Sequence, residues 1–307
     1  MKFMNYQKKI NDFLKKYKKI LMNNHNNLPE IKKPIFIVGC GRAGTTILFN
    51  ILSTHPSLFR TNGYPDGEDH DGWVKYGQAI ISGFGNVHNK RYKSGINGYN
   101  CCLEMNEKDA NEDVKKSMRN YYSNLLSTDS SKTRIINKCP HLSNKLKYVL
   151  SIFPDAKIIH IVRDCEANVA SWISLMEEHK NIQVFLPNEE LPCMWLLPKL
   201  DNLSKNDKSY YPGGDGEMFI EYWEKVNKGI IKQMNDHKEQ LISIKYEDLV
   251  DNPDMVMNNL INFLEIKKFN FDSSIIQKGL NKKHSNLISN ELKIKINKKA
   301  FLISKFF

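Results

Sequence analysis

The chain has 307 residues, 41% of them hydrophobic, and a formal net charge of +11. This length suits one large α/β domain or two small ones, and the hydrophobic content excludes a globally disordered protein. The positive charge fits either a solvated basic surface or an anionic ligand, but the chain lacks the spaced aromatic and basic residues of nucleic-acid-binding motifs. We therefore expect no nucleic-acid partner.

The cysteines and the apolar segments indicate the cellular compartment of the protein. The six cysteines form no CxxC pair, which gives a zinc site little support and favours free thiols in a reducing compartment. Residues 1–27 are basic but lack the continuous apolar core of a signal peptide. No stretch reaches the roughly 20 apolar residues of a membrane-spanning helix. These features predict a soluble, cytoplasmic protein without an integral membrane segment.

The N-terminal region predicts an amphipathic element. Apolar residues between positions 5 and 22 fall near one helical face, with most lysines elsewhere. This pattern favours a basic helix packed on the domain over one bound to a membrane surface. We assign 1–33 to this helix and a linker, and 34–307 to a single domain.

Alternating patterns in the domain predict an α/β fold. Four short apolar runs indicate buried parallel strands, at 35–38, 134–136, 158–162 and 241–245. Helical patterns separate them, at 44–54, 112–127, 142–153, 165–179 and 217–239. This order predicts three layers, with a central parallel sheet between helices. Two segments, 62–103 and 181–216, break the pattern and are expected to be irregular, either as binding loops or as surface excursions.

The stretch Gly39–Thr46, GCGRAGTT, follows the first predicted strand and has the Gly-x-x-x-x-Gly spacing of a phosphate-binding loop. Its glycines allow N–H groups to surround an anion, and the start of the next helix adds its dipole. Thr45 replaces the lysine of a nucleotide triphosphatase, and the only cation in the loop is Arg42. The pattern predicts an anionic nucleotide group held without metal; the alternative is a turn without a ligand.

Two further cations follow predicted strands. Lys138 and Arg163 each stand at a strand end, and Ser171 lies about two helical turns beyond Arg163. Taken singly, each has an ordinary explanation as a solvated lysine, a helix cap or a local ion pair. Because ligands of such sheets bind at the carboxyl ends of strands, we expect these residues to meet the glycine-rich loop at one edge.

Four stretches, in this order, resemble the sulfotransferases that use 3′-phosphoadenosine 5′-phosphosulfate (PAPS). GRAGTT at 41–46 resembles the 5′-phosphosulfate loop of that family, and VRDCEANVAS at 162–171 resembles its 3′-phosphate motif. NKCPH at 137–141 resembles the Lys-x-Pro element of the branch that contains tyrosylprotein and many bacterial carbohydrate sulfotransferases. The segment 244–266 resembles the Tyr-Glu-Asp-Leu segment of the family and its following helix. The resemblance spans roughly residues 34–265.

The resemblance implies a fold like that of P-loop NTPases, with PAPS as the donor, adenosine 3′,5′-bisphosphate (PAP) as the product and no metal requirement. The residues that it assigns to donor binding are Gly41, Arg42, Ala43, Gly44, Thr45, Thr46, Arg163 and Ser171. Arg42 and Lys138 would neutralise the leaving phosphate. Ala43 stands where the family usually has serine and Cys139 where it has Thr or Asp, so one sulfate contact differs here.

The transfer also needs a base for the acceptor hydroxyl. Glu68 is favoured because the tyrosylprotein branch uses a Glu shortly after the phosphosulfate loop; the alternatives are His70, His141, Asp66 and Asp69. The acceptor stays open among a carbohydrate, a phenol and a tyrosyl group, with a carbohydrate slightly favoured. The competing functions are a P-loop kinase or NTPase and a non-catalytic anion-binding module.

The remaining features lead to weaker expectations. Tyr246–Leu249 should support the structure instead of taking part in catalysis. The region 270–307 is expected to be a basic tail, with its lysines and His284 as alternative nucleotide contacts. The aromatic residues that we consider for stacking on the acceptor are Tyr64, Trp73, Trp195, Tyr210 and Tyr211.

Overall fold

The computed structural model describes residues 28–62, 67–79, 104–178, 183–185, 193–197, 210–212, 216–276, 279 and 283–304. The predicted helix at 5–22 lies outside these residues, as do Tyr64, Asp66 and most of 62–103. The side chains of Trp195, Tyr210 and Tyr211 also lie outside the described part.

The described strands form two sheets. They are β1 (Ile35–Gly39), β2 (Leu58–Arg60), β3 (Arg134–Lys138), β4 (Lys157–Val162), β5 (Gln183–Phe185), β6 (Cys193–Leu197), β7 (Tyr210–Pro212) and β8 (Leu241–Lys245). The main sheet has the spatial order β2-β3-β1-β4-β8, and all its pairs are parallel. The smaller sheet, β6-β5-β7, is antiparallel.

Helices flank the main sheet, which confirms the predicted α/β fold. They are α1 (Thr45–Leu52), α2 (His70–Lys75), α3 (Glu112–Leu126), α4 (Leu146–Ile152), α5 (Cys165–Glu178), α6 (Gly216–Gln233), α7 (Tyr246–Asp251), α8 (Pro253–Leu264) and α9 (Asn290–Ser304). Among the residues that the structure describes, no helix is both long and apolar enough to cross a membrane.

The central position of β1 brings three strand ends together. Residues 35–38 of β1 are fully buried, as expected for a strand covered on both faces. β1 pairs in parallel with β3 on one side, where Ile37 aligns with Lys138, and with β4 on the other, where Gly39 aligns with Ile161. The carboxyl ends of these strands therefore lie side by side at one edge of the sheet.

Several elements were not predicted. β2 has three residues, too few to show a periodic pattern, and α2 lies inside the segment 62–103. The strands β5 to β7 lie in the segment 181–216, which the sequence predicted to be irregular. The helix predicted at 142–153 begins only at Leu146, because a 3₁₀ turn at Pro140–Leu142 precedes it.

The C-terminal region contains a docked helix where a basic tail was expected. α9 places Lys295 and Lys299 against α6, where they form ion pairs with Glu217 and Glu224 respectively. Ile296 of the same helix is buried. The sequence did not predict this contact, because a lysine-rich segment is typical of a solvated tail and its acidic partners lie on another helix.

Asp69 is a buried acid that the fold leaves incompletely paired. One of its oxygens, Oδ1, accepts a hydrogen bond from the Tyr121 hydroxyl at 2.8 Å, whereas Oδ2 is buried without a hydrogen-bond partner. Burial raises the pKa of Asp69 from 3.8 to about 8, although the hydrogen bond from Tyr121 opposes this effect. The folded state therefore favours the protonated acid.

The raised pKa predicts a pH-dependent stability. A carboxyl whose folded pKa exceeds its unfolded value stabilises the fold fully below the unfolded value, 3.8, and loses that contribution as the pH rises to about 8. Relative to Asp69→Asn, the wild-type free energy of unfolding should fall with pH across this window, by up to about 1.4 kcal/mol per pH unit. Urea denaturation at a series of pH values measures this difference; parallel curves for the two proteins would contradict the prediction.

Candidate functional site

The loop between β1 and α1 depends on two glycines. Gly44 has a φ of +97°, and a Cβ atom there would lie 2.4 Å from the ring of Tyr246. A Cβ atom on Gly41 would lie 2.5 Å from the ring of Trp172. The Gly41 N–H donates to the Tyr222 hydroxyl at 3.3 Å, and its carbonyl accepts from Trp172 Nε1 at 3.1 Å. Aromatic rings thus leave no room for a Cβ atom at either position, and the positive φ of Gly44 also favours glycine.

Two arginines and a serine meet beside this loop. Arg42 Nε donates to Ser171 Oγ at 3.2 Å, and Arg163 donates to the Arg42 carbonyl at 3.1 Å. The Arg163 guanidinium also lies 5.0 Å from the centre of the Tyr246 ring. Burial lowers the pKa of both guanidinium groups from the ordinary value of 12.5. Arg163 is buried whereas Arg42 is exposed, so a bound anion would mainly offset the cost of burying the Arg163 charge.

The third cation, Lys138, is buried in an ion pair. Its Nζ donates to Glu68 Oε1 at 2.6 Å, and Glu68 Oε2 lies 2.8 Å from His70 Nε2. Only 1% of Lys138 and 3% of Glu68 is exposed. Removing one partner of a buried pair typically costs about 3–5 kcal/mol because the other charge is left uncompensated. The pair therefore holds both side chains in defined positions.

His141 lies behind this pair. Its ring centre is 5.0 Å from that of His70. Burial, together with the nearby His70, Lys145 and Lys138, lowers the pKa of His141 well below 6.5. Ligand atoms of Glu68, His70 and His141 all lie within 4.8 Å of one another, and these residue types also bind zinc. A metal ion there would share the Glu68 carboxylate with the Lys138 ammonium.

One cavity of about 370 Å³ joins these groups at the carboxyl edge of the sheet. The predicted site residues that line it are Gly41, Arg42, Gly44, Thr45, Thr46, Glu68, Lys138, Arg163 and Ser171. Thr45 and Thr46 occupy the first turn of α1, whose N–H groups have no partner within the helix. The cavity thus combines a helix N-terminus, the Glu68 carboxylate and four cationic side chains, namely the three described above and Lys283.

Three predicted residues do not line the cavity. Ala43 is buried in the hydrophobic core, and its N–H donates to the Cys40 carbonyl at 3.1 Å. Its methyl group therefore lies away from any ligand in the cavity. His70 and His141 stand behind Glu68, where His70 contacts the carboxylate. The structure gives His70 a position from which it can orient Glu68.

Other residues of the site were missed or misjudged. Lys283 and His284 border the cavity. The sequence suggested the C-terminal lysines and His284 as nucleotide contacts only as an alternative to a basic tail. Tyr246 also borders the cavity and contacts both Gly44 and Arg163, so the Tyr-Glu-Asp-Leu segment supports the wall of the cavity. No sequence signal tied Lys283 to the site, because it is one lysine among many.

The expectation for Trp73 needs correction. Trp73, considered for stacking on an acceptor, is fully buried, and its Nε1 lies 3.4 Å from Asn137 Oδ1. Asp164, which follows Arg163 after β4, accepts from the Ala167 N–H at 2.9 Å and caps the start of α5.

Comparison with known proteins gives a family match. Residues 34–189, about half of the chain, match the model of a sulfotransferase family. The chain is 24% identical over 237 residues to an uncharacterized protein of Aquifex aeolicus (strain VF5), and the match covers 76% of this chain and 26% of that protein. The chain thus matches about a quarter of the length of this curated relative.

Solved structures share the fold. The sulfotransferase domain from the curacin biosynthetic pathway has a TM-score of 0.54 at 16% identity, covering 90% of this chain and 98% of that chain. For the sulfotransferase domain from the Synechococcus PCC 7002 olefin synthase, the TM-score is 0.49 at 17% identity, covering 89% and 97% respectively. The first of these similarities confirms the predicted fold.

Proposed function

Because this chain belongs to the sulfotransferase family, we propose that it transfers a sulfuryl group from PAPS to a hydroxyl acceptor. The observation that carries the proposal is the convergence of Arg42, Lys138, Arg163 and Glu68 on one cavity beside the N-terminus of α1. Such a cavity suits a ligand with several anionic groups next to a reacting hydroxyl.

The two anionic ends of the donor match two parts of the cavity. We assign the 5′-phosphosulfate to Thr45, Thr46 and Arg42, where the α1 dipole and the first-turn N–H groups favour negative charge. We assign the 3′-phosphate to Arg163 and Ser171. The cavity lies at the carboxyl ends of β1, β3 and β4, which is the usual ligand position in parallel α/β sheets.

The transfer itself needs charge stabilisation and one proton acceptor. A new S–O bond forms to the acceptor oxygen while the S–O bond to the 5′-phosphate breaks. Lys138 and Arg42 stabilise the charge that grows on the departing phosphate, an effect typically worth a few kcal/mol per donor group. Glu68 takes the proton of the acceptor hydroxyl. The cations already present compensate the phosphate charge, so we propose that the reaction requires no metal ion.

The acceptor and the location are also part of the proposal. We favour a carbohydrate acceptor slightly over a phenol or a tyrosyl group. The Lys138-Cys139-Pro140 element resembles the branch of tyrosylprotein and many bacterial carbohydrate sulfotransferases, which supports a carbohydrate or a tyrosyl group over a phenol. Cys40, Cys139 and Cys165 are free thiols, which supports the reducing cytoplasm as the compartment.

A direct test uses radiolabelled PAPS with separate panels of carbohydrates, phenols and tyrosine peptides, each assayed in the presence of EDTA. We expect transfer to at least one hydroxyl class despite the chelator. A P-loop kinase or NTPase would instead need magnesium and would hydrolyse or transfer from ATP.

Arg163→Ala should selectively weaken binding of the 3′-phosphate. Charge-assisted hydrogen bonds contribute about 1.5–3 kcal/mol, so PAP affinity should fall roughly tenfold to a hundredfold, whereas the affinity for AMP should change little. Titration calorimetry with both nucleotides measures the difference. Arg60→Ala removes an exposed arginine and controls for net charge. Equal losses of affinity for PAP and AMP would show that Arg163 does not bind the 3′-phosphate.

Glu68→Gln should lower turnover by roughly two to four orders of magnitude, because the amide cannot accept the proton of the acceptor. His141→Ala should retain most activity, since His141 lies outside the cavity lining. Initial rates with the best acceptor of the panel test both variants. If Glu68→Gln turned over normally and His141→Ala were inactive, Glu68 would not be the base and His141 would be.

A further inference from the structure

We infer that Glu68 is an internal competitor of the donor: it occupies Lys138 in the free protein and is released for catalysis when the donor takes its place. The inference rests on the proposed function and adds a form of regulation to the same site. It links activation of the base to donor binding, so that the donor binds before the acceptor.

The first step is the ion pair itself. Lys138 Nζ and Glu68 Oε1 are 2.6 Å apart and almost fully buried, yet both residues border the cavity that Arg42, Thr45 and Thr46 also line. The ammonium that the donor phosphate needs is therefore neutralised by a carboxylate of the protein. With this ion pair formed, the Glu68 carboxylate is the anionic partner of Lys138 that the donor would otherwise supply.

The second step is electrostatic. A phosphosulfate beside Lys138 would lie close to the Glu68 carboxylate, and like charges repel strongly in a site with little water. The donor must therefore compete with Glu68 for the ammonium. Part of the favourable energy of donor binding is used to open the Lys138–Glu68 pair.

The third step concerns the carboxylate after this exchange. Glu68 Oε2 lies 2.8 Å from His70 Nε2, and His70 begins α2 outside the cavity lining. This contact does not involve Lys138, so it holds Glu68 in place when the ammonium turns to the donor. Oε1 then loses its cationic partner and becomes available to the acceptor proton.

The test uses PAP as the probe and needs no acceptor. PAP affinity is measured by titration calorimetry for the wild type, Glu68→Gln and Glu68→Asp. Glu68→Gln should bind PAP at least about tenfold more tightly, because Lys138 no longer has an anionic partner. Glu68→Asp keeps the charge but shortens the side chain, so it should also bind PAP more tightly, by a smaller factor. This second variant separates the ion pair from simple repulsion and preserves a buried countercharge if Glu68→Gln folds poorly.

A double-mutant cycle isolates the pair. In the Lys138→Met background, Glu68→Gln should change PAP affinity less than about twofold, because the competition no longer exists. Glu265→Gln is the control: it also removes a carboxylate from an ion pair, with Lys33 and Lys157, but lies outside the cavity lining and should leave PAP affinity unchanged.

The outcomes separate the two proposals. If the wild type binds PAP, but Glu68→Gln and Glu68→Asp bind it no more tightly, the competition inference is wrong while the proposed function stands. An equal gain in the presence and absence of Lys138 also overturns it, because repulsion alone would then explain the effect. A wild type with no measurable PAP affinity overturns the proposed function and this inference with it.

Discussion

The parallel pairing of β1 with β3 and β4 is the constraint on which the rest of the site depends. It places three strand ends at one edge, and each end leads to residues that line the cavity: the glycine-rich loop after β1, Lys138 at the end of β3 and Arg163 after β4. The buried core of these strands fixes their spacing. Charges that would be scattered on a surface are thereby held around one cavity.

Cations held close together at this edge repel one another and lose hydration, and the protein stabilises them with different contacts. Arg163 stacks on Tyr246 and donates to the Arg42 carbonyl, whereas Lys138 takes a carboxylate partner. The ring and the carbonyl beside Arg163 are uncharged groups, whereas the partner of Lys138 is a buried carboxylate. In the exchange that we propose, an anionic group of the donor takes the place of this carboxylate beside Lys138.

The sequence predicted those parts of the fold that have a strong local signal. Four strands of the main sheet were found because they are continuous apolar runs, and the loop was found because its glycine spacing is unusual. β2 was missed because three residues show no period. The docked helix α9 was missed because its lysines indicate a solvated tail until their partners Glu217 and Glu224 are known. The partnership of Glu68 with Lys138 joins positions 70 residues apart, which no local pattern encodes.

The contribution of Lys283 and His284 to the cavity has a consequence for biosynthesis. These two residues lie far beyond the glycine-rich loop in the sequence, yet they border the same cavity. During translation, the loop and the strands beside it leave the ribosome long before the segment that completes the wall of the cavity. A nascent chain would therefore carry an open, cation-lined edge exposed to cellular polyanions until the segment with Lys283 and His284 has been synthesised.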